Sequence, residues 1–238
     1  DYLLEQLPQL KQAYQPNLIF VNGENAANGR GITQKIYKQL MSAGVSLITM
    51  GNHTWKNDDL KSFIEGSNII KPINDNVDLG SGYKVLNYNN QKILVINALG
   101  AIYMDQAYPQ SFKAINEIIE TVTHDYAIVD FHAEVTSEKI ALAHFLDGKA
   151  DVVVGTHTHV QTNDARILPK GLLYITDLGM TGALNGVIGV DKDIIVDRFI
   201  NGYSKPNAVA EGARQLNGVI ITLSPTKTIK SIHIEEVK

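Results

Sequence analysis

Short runs of β-branched and apolar residues recur along the chain, and longer amphipathic segments separate them. Two runs with the character of buried strands lie at residues 17–21 and 45–50. Between them, Ile32, Ile36 and Leu40 are spaced for one face of a helix. This alternation is typical of an α/β fold, so the sequence predicts helices packed on a sheet.

The rest of the chain continues the pattern. Asn89-Asn90 predicts a hairpin turn, and Thr136 or Ser137 can serve as the N-cap of a following helix. The sequence predicts further strands at 83–87, 92–97, 126–131, 151–154, 172–176, 218–223 and 229–237, and helices at 2–14, 112–122 and 137–145. Because no repeat, low-complexity tract or linker divides the chain, we expect one domain over residues 1–238.

Composition excludes several classes of function. The chain has 0 Cys, which excludes a disulfide framework, a thiolate-bound zinc, a thiol nucleophile and an iron–sulfur cluster. A formal net charge of -4 disfavours nucleic acid as a partner and gives no attraction to an anionic membrane. No apolar run approaches the roughly 20 residues of a membrane span, and residues 1–5 do not resemble a secretory signal. We therefore expect a cytoplasmic protein that does not enter the membrane.

Potential metal ligands follow four of the predicted strands. Because the carboxyl ends of strands in an open α/β sheet lie along one edge, these side chains can converge although they are far apart in the sequence. They are Glu24 and Asn25 after the first strand, Asn52 and His53 after the second, Asp130 and His132 at the end of the third, and His157 and His159 after the fourth.

The residue types in this set suit divalent metals. Imidazole nitrogens with carboxylate and amide oxygens, and without thiolates, are ligands of iron, manganese or zinc. One carboxylate can bridge two such ions roughly 3.5–4 Å apart, as two-metal hydrolytic sites require. Asp130 is compatible with two roles, a ligand or a partner that orients an imidazole. Asp177 follows a predicted strand as well, and we expect a supporting role for it rather than ligation.

Glycine is frequent between Gly179 and Gly189. One interpretation is a surface loop, because such composition marks loops. The alternative is a loop over the active site, where glycines let the backbone approach a ligand. The sequence leaves both interpretations open.

Taken together, these motifs resemble the YmdB-type branch of the calcineurin-like metallophosphoesterase superfamily, and the likeness runs from end to end of the chain. The resemblance is carried by Gly51-Asn52-His53, by His132 and by residues 21–27, 49–55, 130–134, 154–162 and 174–182. It implies an α/β fold with a central β-sandwich flanked by helices. It further implies two divalent metal ions and hydrolysis of small phosphodiesters, with 2′,3′-cyclic nucleotides as characteristic substrates.

The resemblance also assigns roles to individual residues. Glu24 matches a carboxylate that bridges the two metals, and His159 matches a ligand of one of them. Asn52, His132 and His157 match the remaining ligands of the other metal.

Two further residues have roles by the same resemblance. His53 matches the catalytic histidine beside the phosphate. Asn25 falls in the Glu24 loop, where it is expected to contact substrate or to tune the site. Iron or manganese is the expected metal, with zinc as an alternative.

One expected feature of the family lies outside the sequence. The family opens with a strand ending in Gly-Asp, whose Asp is a metal ligand, and this chain begins downstream of it. We therefore expect one metal with four protein ligands and a second held only by Glu24 and His159. Uneven metal occupancy would follow. Unpaired strand edges would favour association into a homo-oligomer.

Three functions agree with these observations. The first is a metal-dependent phosphodiesterase acting on small cyclic nucleotides. The second keeps the metals but acts on a phosphomonoester, a phosphoprotein or a nucleic acid. The third is a regulatory protein that binds metal without turnover.

Overall fold

The computed structural model describes residues 2–104, 110–202 and 205–236. Its helices are α1 (Tyr2–Tyr14), α2 (Gln34–Ser42), α3 (Ser111–Thr121), α4 (Thr136–Leu146) and α5 (Lys192–Asn201), with a short 3-10 helix at Asp58–Ser62. Its strands are β1 (Phe20–Asn22), β2 (Leu47–Thr49), β3 (Ile69–Ile70), β4 (Tyr83–Tyr88), β5 (Gln91–Leu99), β6 (Tyr126–His132), β7 (Val152–Thr156), β8 (Arg166–Ile167), β9 (Leu173–Ile175), β10 (Gly182–Ala183), β11 (Arg214–Thr222) and β12 (Thr228–Glu235).

Within the described ranges, the strands form three sheets. Strands β1, β2 and β3 pair in parallel in that order. A six-stranded sheet has the order β4-β5-β6-β7-β9-β8, with parallel pairing from β5 to β9 and an antiparallel strand at each edge. Strands β10, β11 and β12 form an antiparallel sheet. Within the described part of the chain, β1 is an edge strand.

The two small sheets pack against one face of the six-stranded sheet. Ile93 and Val95 of β5 contact a cluster that includes Leu47 of the parallel sheet. Further along the same face, Val152 packs in a cluster with Val219 of the antiparallel sheet. Because side chains alternate across a strand, every second residue of these strands enters this shared core. The result is a β-sandwich.

Helices cover both outer faces of the sandwich. The alternate residues of β5, such as Leu94, pack in one cluster with Ile115 of α3 and Leu142 of α4. Ile48 of β2 points the other way, into a cluster that includes Leu40 of α2. The expected α/β fold with a helix-flanked sandwich is confirmed. Among the residues that the structure describes, no helix is long and apolar enough to cross a bilayer.

Local sequence signals predict the hairpin, but they miss the helix α5 and the short strands β3, β8 and β10. The hairpin between β4 and β5 turns at Asn89 and Asn90 with φ of 48° and 62°, the left-handed pair that a two-residue turn requires. The N-cap prediction for α4 is wrong. That helix begins at Thr136, one residue earlier than expected, so its N-cap is Val135, which makes no side-chain capping bond.

Candidate metal centre

The polar loops that follow β1, β2, β6 and β7 meet at one edge of the sandwich. Within each sheet these strands run parallel, so their carboxyl ends share an edge, and the contact between Glu24 and His132 shows that the two edges meet. Glu24 follows β1 by two residues, His132 is the last residue of β6, and His157 comes directly after β7.

Three of these residues bring ligand atoms within 4.8 Å of one another, namely Glu24, His132 and His157. The Nε2 atom of His132 is central. It lies 3.0 Å from Glu24 Oε2, 3.0 Å from His157 Nδ1 and 2.9 Å from Asn52 Oδ1. Glu24 and His132 are buried, whereas His157 is partly exposed. The cluster therefore has an enclosed base and one open side.

A hydroxyl group determines the tautomer of His132. Thr156 Oγ1 donates its only proton to the Asp130 carboxylate, at 2.7 Å. The same oxygen lies 2.9 Å from His132 Nδ1, so it must accept a hydrogen bond from a proton on that nitrogen. His132 Nε2 is then unprotonated in the neutral ring, and its lone pair points into the cluster.

Asp130 lies behind this hydroxyl, between the six-stranded sheet and the parallel sheet of β1, β2 and β3. Its carboxylate accepts hydrogen bonds from Thr49, Asn22 and Thr156. Complete burial raises the pKa of Asp130, and these hydrogen bonds and the nearby His132 oppose that rise. Of the two roles considered for Asp130, the geometry favours the one that orients an imidazole, because Thr156 stands between its carboxylate and His132.

Glu134 orients His157, and its role was not predicted from the sequence. The Nε2 atom of His157 lies 3.1 Å from Glu134 Oε2, so its proton is donated there and Nδ1 faces His132 without one. Burial and the neighbouring His132 lower the pKa of His157 to about 4, which keeps the ring neutral at pH 7. The available sequence signal was the position of Glu134, two residues after His132 in the quoted motif.

The side-chain amide of Asn25 links the other carboxylate oxygen of Glu24, Oε1, to His53 and His159. Asn25 Nδ2 donates to Glu24 Oε1 at 3.1 Å and to His159 Nε2 at 3.0 Å. Its Oδ1 atom accepts a hydrogen bond from His53 Nδ1 at 2.9 Å. His53 and His159 therefore lie on the Oε1 side of Glu24, whereas His132 lies on the Oε2 side.

The glycine-rich segment contacts this second side. His159 Nδ1 lies 2.8 Å from the backbone carbonyl oxygen of Ile188 and donates to it. This hydrogen bond leaves Nε2 as the acceptor that Asn25 contacts. The segment between Gly179 and Gly189 thus reaches the cluster, which supports the second interpretation of its composition.

Glu24 is ionised in this setting. Burial alone would favour the neutral acid, but the charge and hydrogen bonding of the His132 and His53 rings, when these are protonated in the metal-free protein, outweigh it and lower the pKa of Glu24 to about 2. A buried carboxylate thus presents one oxygen to each side of the cluster.

The donor set fits a divalent cation. With both rings neutral, Glu24 Oε2, Asn52 Oδ1, His132 Nε2 and His157 Nδ1 all offer lone pairs, and the other three atoms lie within about 3 Å of His132 Nε2. A divalent cation among these four atoms would be bound by all of their lone pairs at once. A Cβ added to Gly51 would lie 1.7 Å from Glu24 Oε2 and 2.5 Å from His132 Nε2, so glycine is needed beside these atoms. Iron, manganese and zinc all accept such ligands.

Comparison with known proteins agrees with this geometry. A family model described as YmdB-like protein matches residues 1–237. A curated relative, the 2′,3′-cyclic-nucleotide 2′-phosphodiesterase of Bacillus subtilis (strain 168), is 43% identical over 240 residues. The match covers 100% of this chain and 90% of the relative.

Solved structures show the same relationship. A protein from Thermus thermophilus matches with a TM-score of 0.94 and 36% identity, over 99% of this chain and 94% of that one. A structure described as a novel phosphatase, from Mycoplasma pneumoniae, matches with a TM-score of 0.92 and 38% identity. The match covers 98% of this chain and 88% of that one. A 5′-nucleotidase from Staphylococcus aureus, at 16% identity and a TM-score of 0.54, shares the fold alone. The chain therefore belongs to the YmdB-like family and is a hydrolase of the metallophosphoesterase class.

Proposed function

We propose that this protein is a phosphodiesterase that hydrolyses 2′,3′-cyclic nucleotides with two divalent metal ions. One observation carries the proposal: unprotonated ligand atoms converge on one oxygen of Glu24, and a further histidine approaches the other oxygen through Asn25. The relative from Bacillus subtilis supports the substrate, since it is named for that activity and is 43% identical over the whole chain.

The residues would divide between two ions that share Glu24. Asn52, His132 and His157 would hold one ion together with Glu24 Oε2. Glu24 Oε1 and His159 Nε2 would contribute to the other, after Asn25 Nδ2 has moved from between them. When bound, such ions lower the pKa of a water and polarise phosphate oxygens. Iron or manganese is the proposed metal, with zinc as the alternative.

His53 has the position of a proton donor. Its Nδ1 proton is held by Asn25 Oδ1, and Glu24 Oε1 lies 3.4 Å from the same nitrogen. In the protonated ring, Nε2 carries the proton that would pass to the departing oxygen. Such proton transfer typically contributes about 10²–10⁴-fold in rate.

The reaction balances with water as the only co-substrate. A water oxygen forms a new bond to phosphorus, and the bond from phosphorus to the 2′-oxygen of the ribose breaks. The departing oxygen takes the proton from His53, and the water proton restores that ring. The product is then a nucleoside 3′-phosphate, in accordance with the 2′-phosphodiesterase name of the relative. Asn25, beside His53, is placed to contact substrate.

A substrate panel tests this function. The protein loaded with Mn²⁺ or Fe²⁺ is given 2′,3′-cyclic AMP, 3′,5′-cyclic AMP and p-nitrophenyl phosphate, and the products are separated by chromatography. We expect the 2′,3′-cyclic ester to be hydrolysed fastest and to yield 3′-AMP. Faster hydrolysis of the monoester would favour the phosphatase alternative. Bound metal without turnover of any of the three would favour a regulatory protein.

A further inference from the structure

A buried ion pair lies outside the cluster and takes no part in the proposed reaction. Lys139 of α4 and Asp177, two residues after β9, are each 0% exposed, and Nζ lies 2.8 Å from Oδ2. Removing two charges from water is costly, and apolar residues of similar size often give equal or better stability. Stability alone therefore does not account for this pair.

The Asp177 carboxylate is bonded to the loop that carries two of the clustered histidines. Its Oδ2 atom accepts the backbone N–H of Thr158 at 3.0 Å, and Oδ1 accepts that of Gly179 at 2.9 Å. Thr158 is the residue between His157 and His159. The hydrogen bond from Asp177 thus holds the middle of the histidine loop.

That loop has a backbone conformation that needs support. His157 has φ of +116° and His159 has φ of +66°, although neither is glycine. Such values are unfavourable for residues with a Cβ and persist only where surrounding contacts hold them. The Thr158 amide lies between the two strained residues. A fixed acceptor for that amide therefore stabilises both.

The structure makes room for Lys139 to reach Asp177. A Cβ added to Gly155 of β7 would lie 2.9 Å from Lys139 Cδ and 1.8 Å from the carbonyl oxygen of Thr176. Glycine at this position lets the lysine stem pass close to the strand. Lys139 is also fully buried on a helix, where an unpaired lysine would be expelled towards water. Its place is thus determined by Asp177.

We propose that Asp177, held by Lys139, is a positioning residue that fixes the Thr158 amide and so directs His157 and His159 to opposite sides of Glu24. The inference rests on the proposed metal site for its functional consequence. Its structural part, a Thr158 amide held by the carboxylate, can be tested without metal.

Two double variants separate the hydrogen bond from the charge. Lys139→Met with Asp177→Asn removes both charges and keeps one oxygen, which can accept the Thr158 amide proton but cannot serve Gly179 as well. Lys139→Met with Asp177→Leu has nearly the same volume but no acceptor. Urea unfolding of the chelated proteins establishes that both fold. Calorimetric titration with Mn²⁺ then measures affinity, and the loss of a group that orients ligands typically costs about 10–100-fold.

We expect the Asn double variant to bind Mn²⁺ within about threefold of the wild type and the Leu double variant to bind at least about tenfold more weakly. Equal affinity of two folded double variants would overturn the inference. If the wild type itself binds no Mn²⁺, the proposed function fails instead.

Hydrogen exchange on the chelated wild-type protein gives a second test that does not depend on any variant. We expect the Thr158 amide to exchange slowly, as amides in stable internal hydrogen bonds do. Exchange at the rate of an unstructured peptide would overturn the inference, whatever the variants do.

Discussion

The Nδ1 atom of His132 lies 2.9 Å from the hydroxyl oxygen of Thr156, which in turn donates to Asp130. In the neutral ring, this chain of three groups leaves His132 Nε2 without a proton and directed at Glu24. Both Asp130 and Thr156 are buried, so water cannot replace either partner readily.

Removing this hydroxyl should weaken metal binding. We expect Thr156→Val to bind Mn²⁺ about 10–100-fold more weakly, because the ring loses the group that determines its tautomer. Thr156→Ser, which keeps the hydroxyl, is the matched control and should stay near the wild type. Isothermal titration measures both. Equal weakening in the Ser and Val variants would show that the methyl group, not the hydroxyl, matters.

Glu134 should orient His157 as Thr156 orients His132, but with a smaller effect on metal affinity. Its side chain is 48% exposed, so water can partly replace the carboxylate that accepts the Nε2 proton. We expect Glu134→Ala to lower Mn²⁺ affinity by roughly tenfold, at the low end for such partners. Glu117→Ala, on the exposed face of α3, is the control and should leave affinity unchanged. No loss in the Glu134 variant would remove this residue from the site.

His53 and His157 should respond differently to truncation. His53→Ala should retain its metal and lose about 10²–10⁴-fold in turnover of 2′,3′-cyclic AMP, because a proton donor is lost. His157→Ala should lose metal as well as turnover. Elemental analysis and initial rates on the same samples distinguish the two. Similar metal content and similar activity in both variants would contradict the division of roles.

Acid should destabilise the chelated protein through His157. The pKa of His157 is 6.5 in the unfolded chain and about 4 in the folded protein. Between these two pH values the unfolded chain binds a proton that the folded protein does not. Stability is therefore lost as the pH falls from about 6.5 towards 4, by about 3 kcal/mol in all. Glu24, with a pKa lowered from 4.5 to about 2, adds a further loss below about pH 4.5.

Urea unfolding at about pH 7 and about pH 4.5 measures the first of these effects. Between the two, we expect the wild type to lose about 2 kcal/mol more than His157→Gln, which has no titrating group at that position. Parallel pH dependence of the two proteins would show that the ring is not held neutral in the folded state.

The sequence predicted those features that depend on local pattern or on strand direction. Asn89-Asn90 specified the hairpin because its left-handed turn is a local property. The meeting of the His132 and His157 loops followed from parallel strands, whose carboxyl ends share one edge. The Glu24 loop joins them because its own sheet packs on theirs.

Partners distant in the chain could not be predicted in this way. Thr156 and His132 are 24 residues apart, and Lys139 and Asp177 are 38 apart. Their pairing depends on strand register and helix packing, not on spacing in the sequence. Burial of Lys139 contradicts the usual exposure of lysine, so no hydrophobic pattern indicates it.

The most direct test of the two-metal proposal is an anomalous difference map from crystals soaked in Mn²⁺. We predict two peaks roughly 3.5–4 Å apart, separated by the Glu24 carboxylate. One should lie among Asn52, His132 and His157, and the other beside His159 Nε2. The peak beside His159 should be the weaker of the two, because fewer side chains hold that ion. A single peak, or Mn²⁺ bound only elsewhere on the protein, would contradict the two-metal proposal.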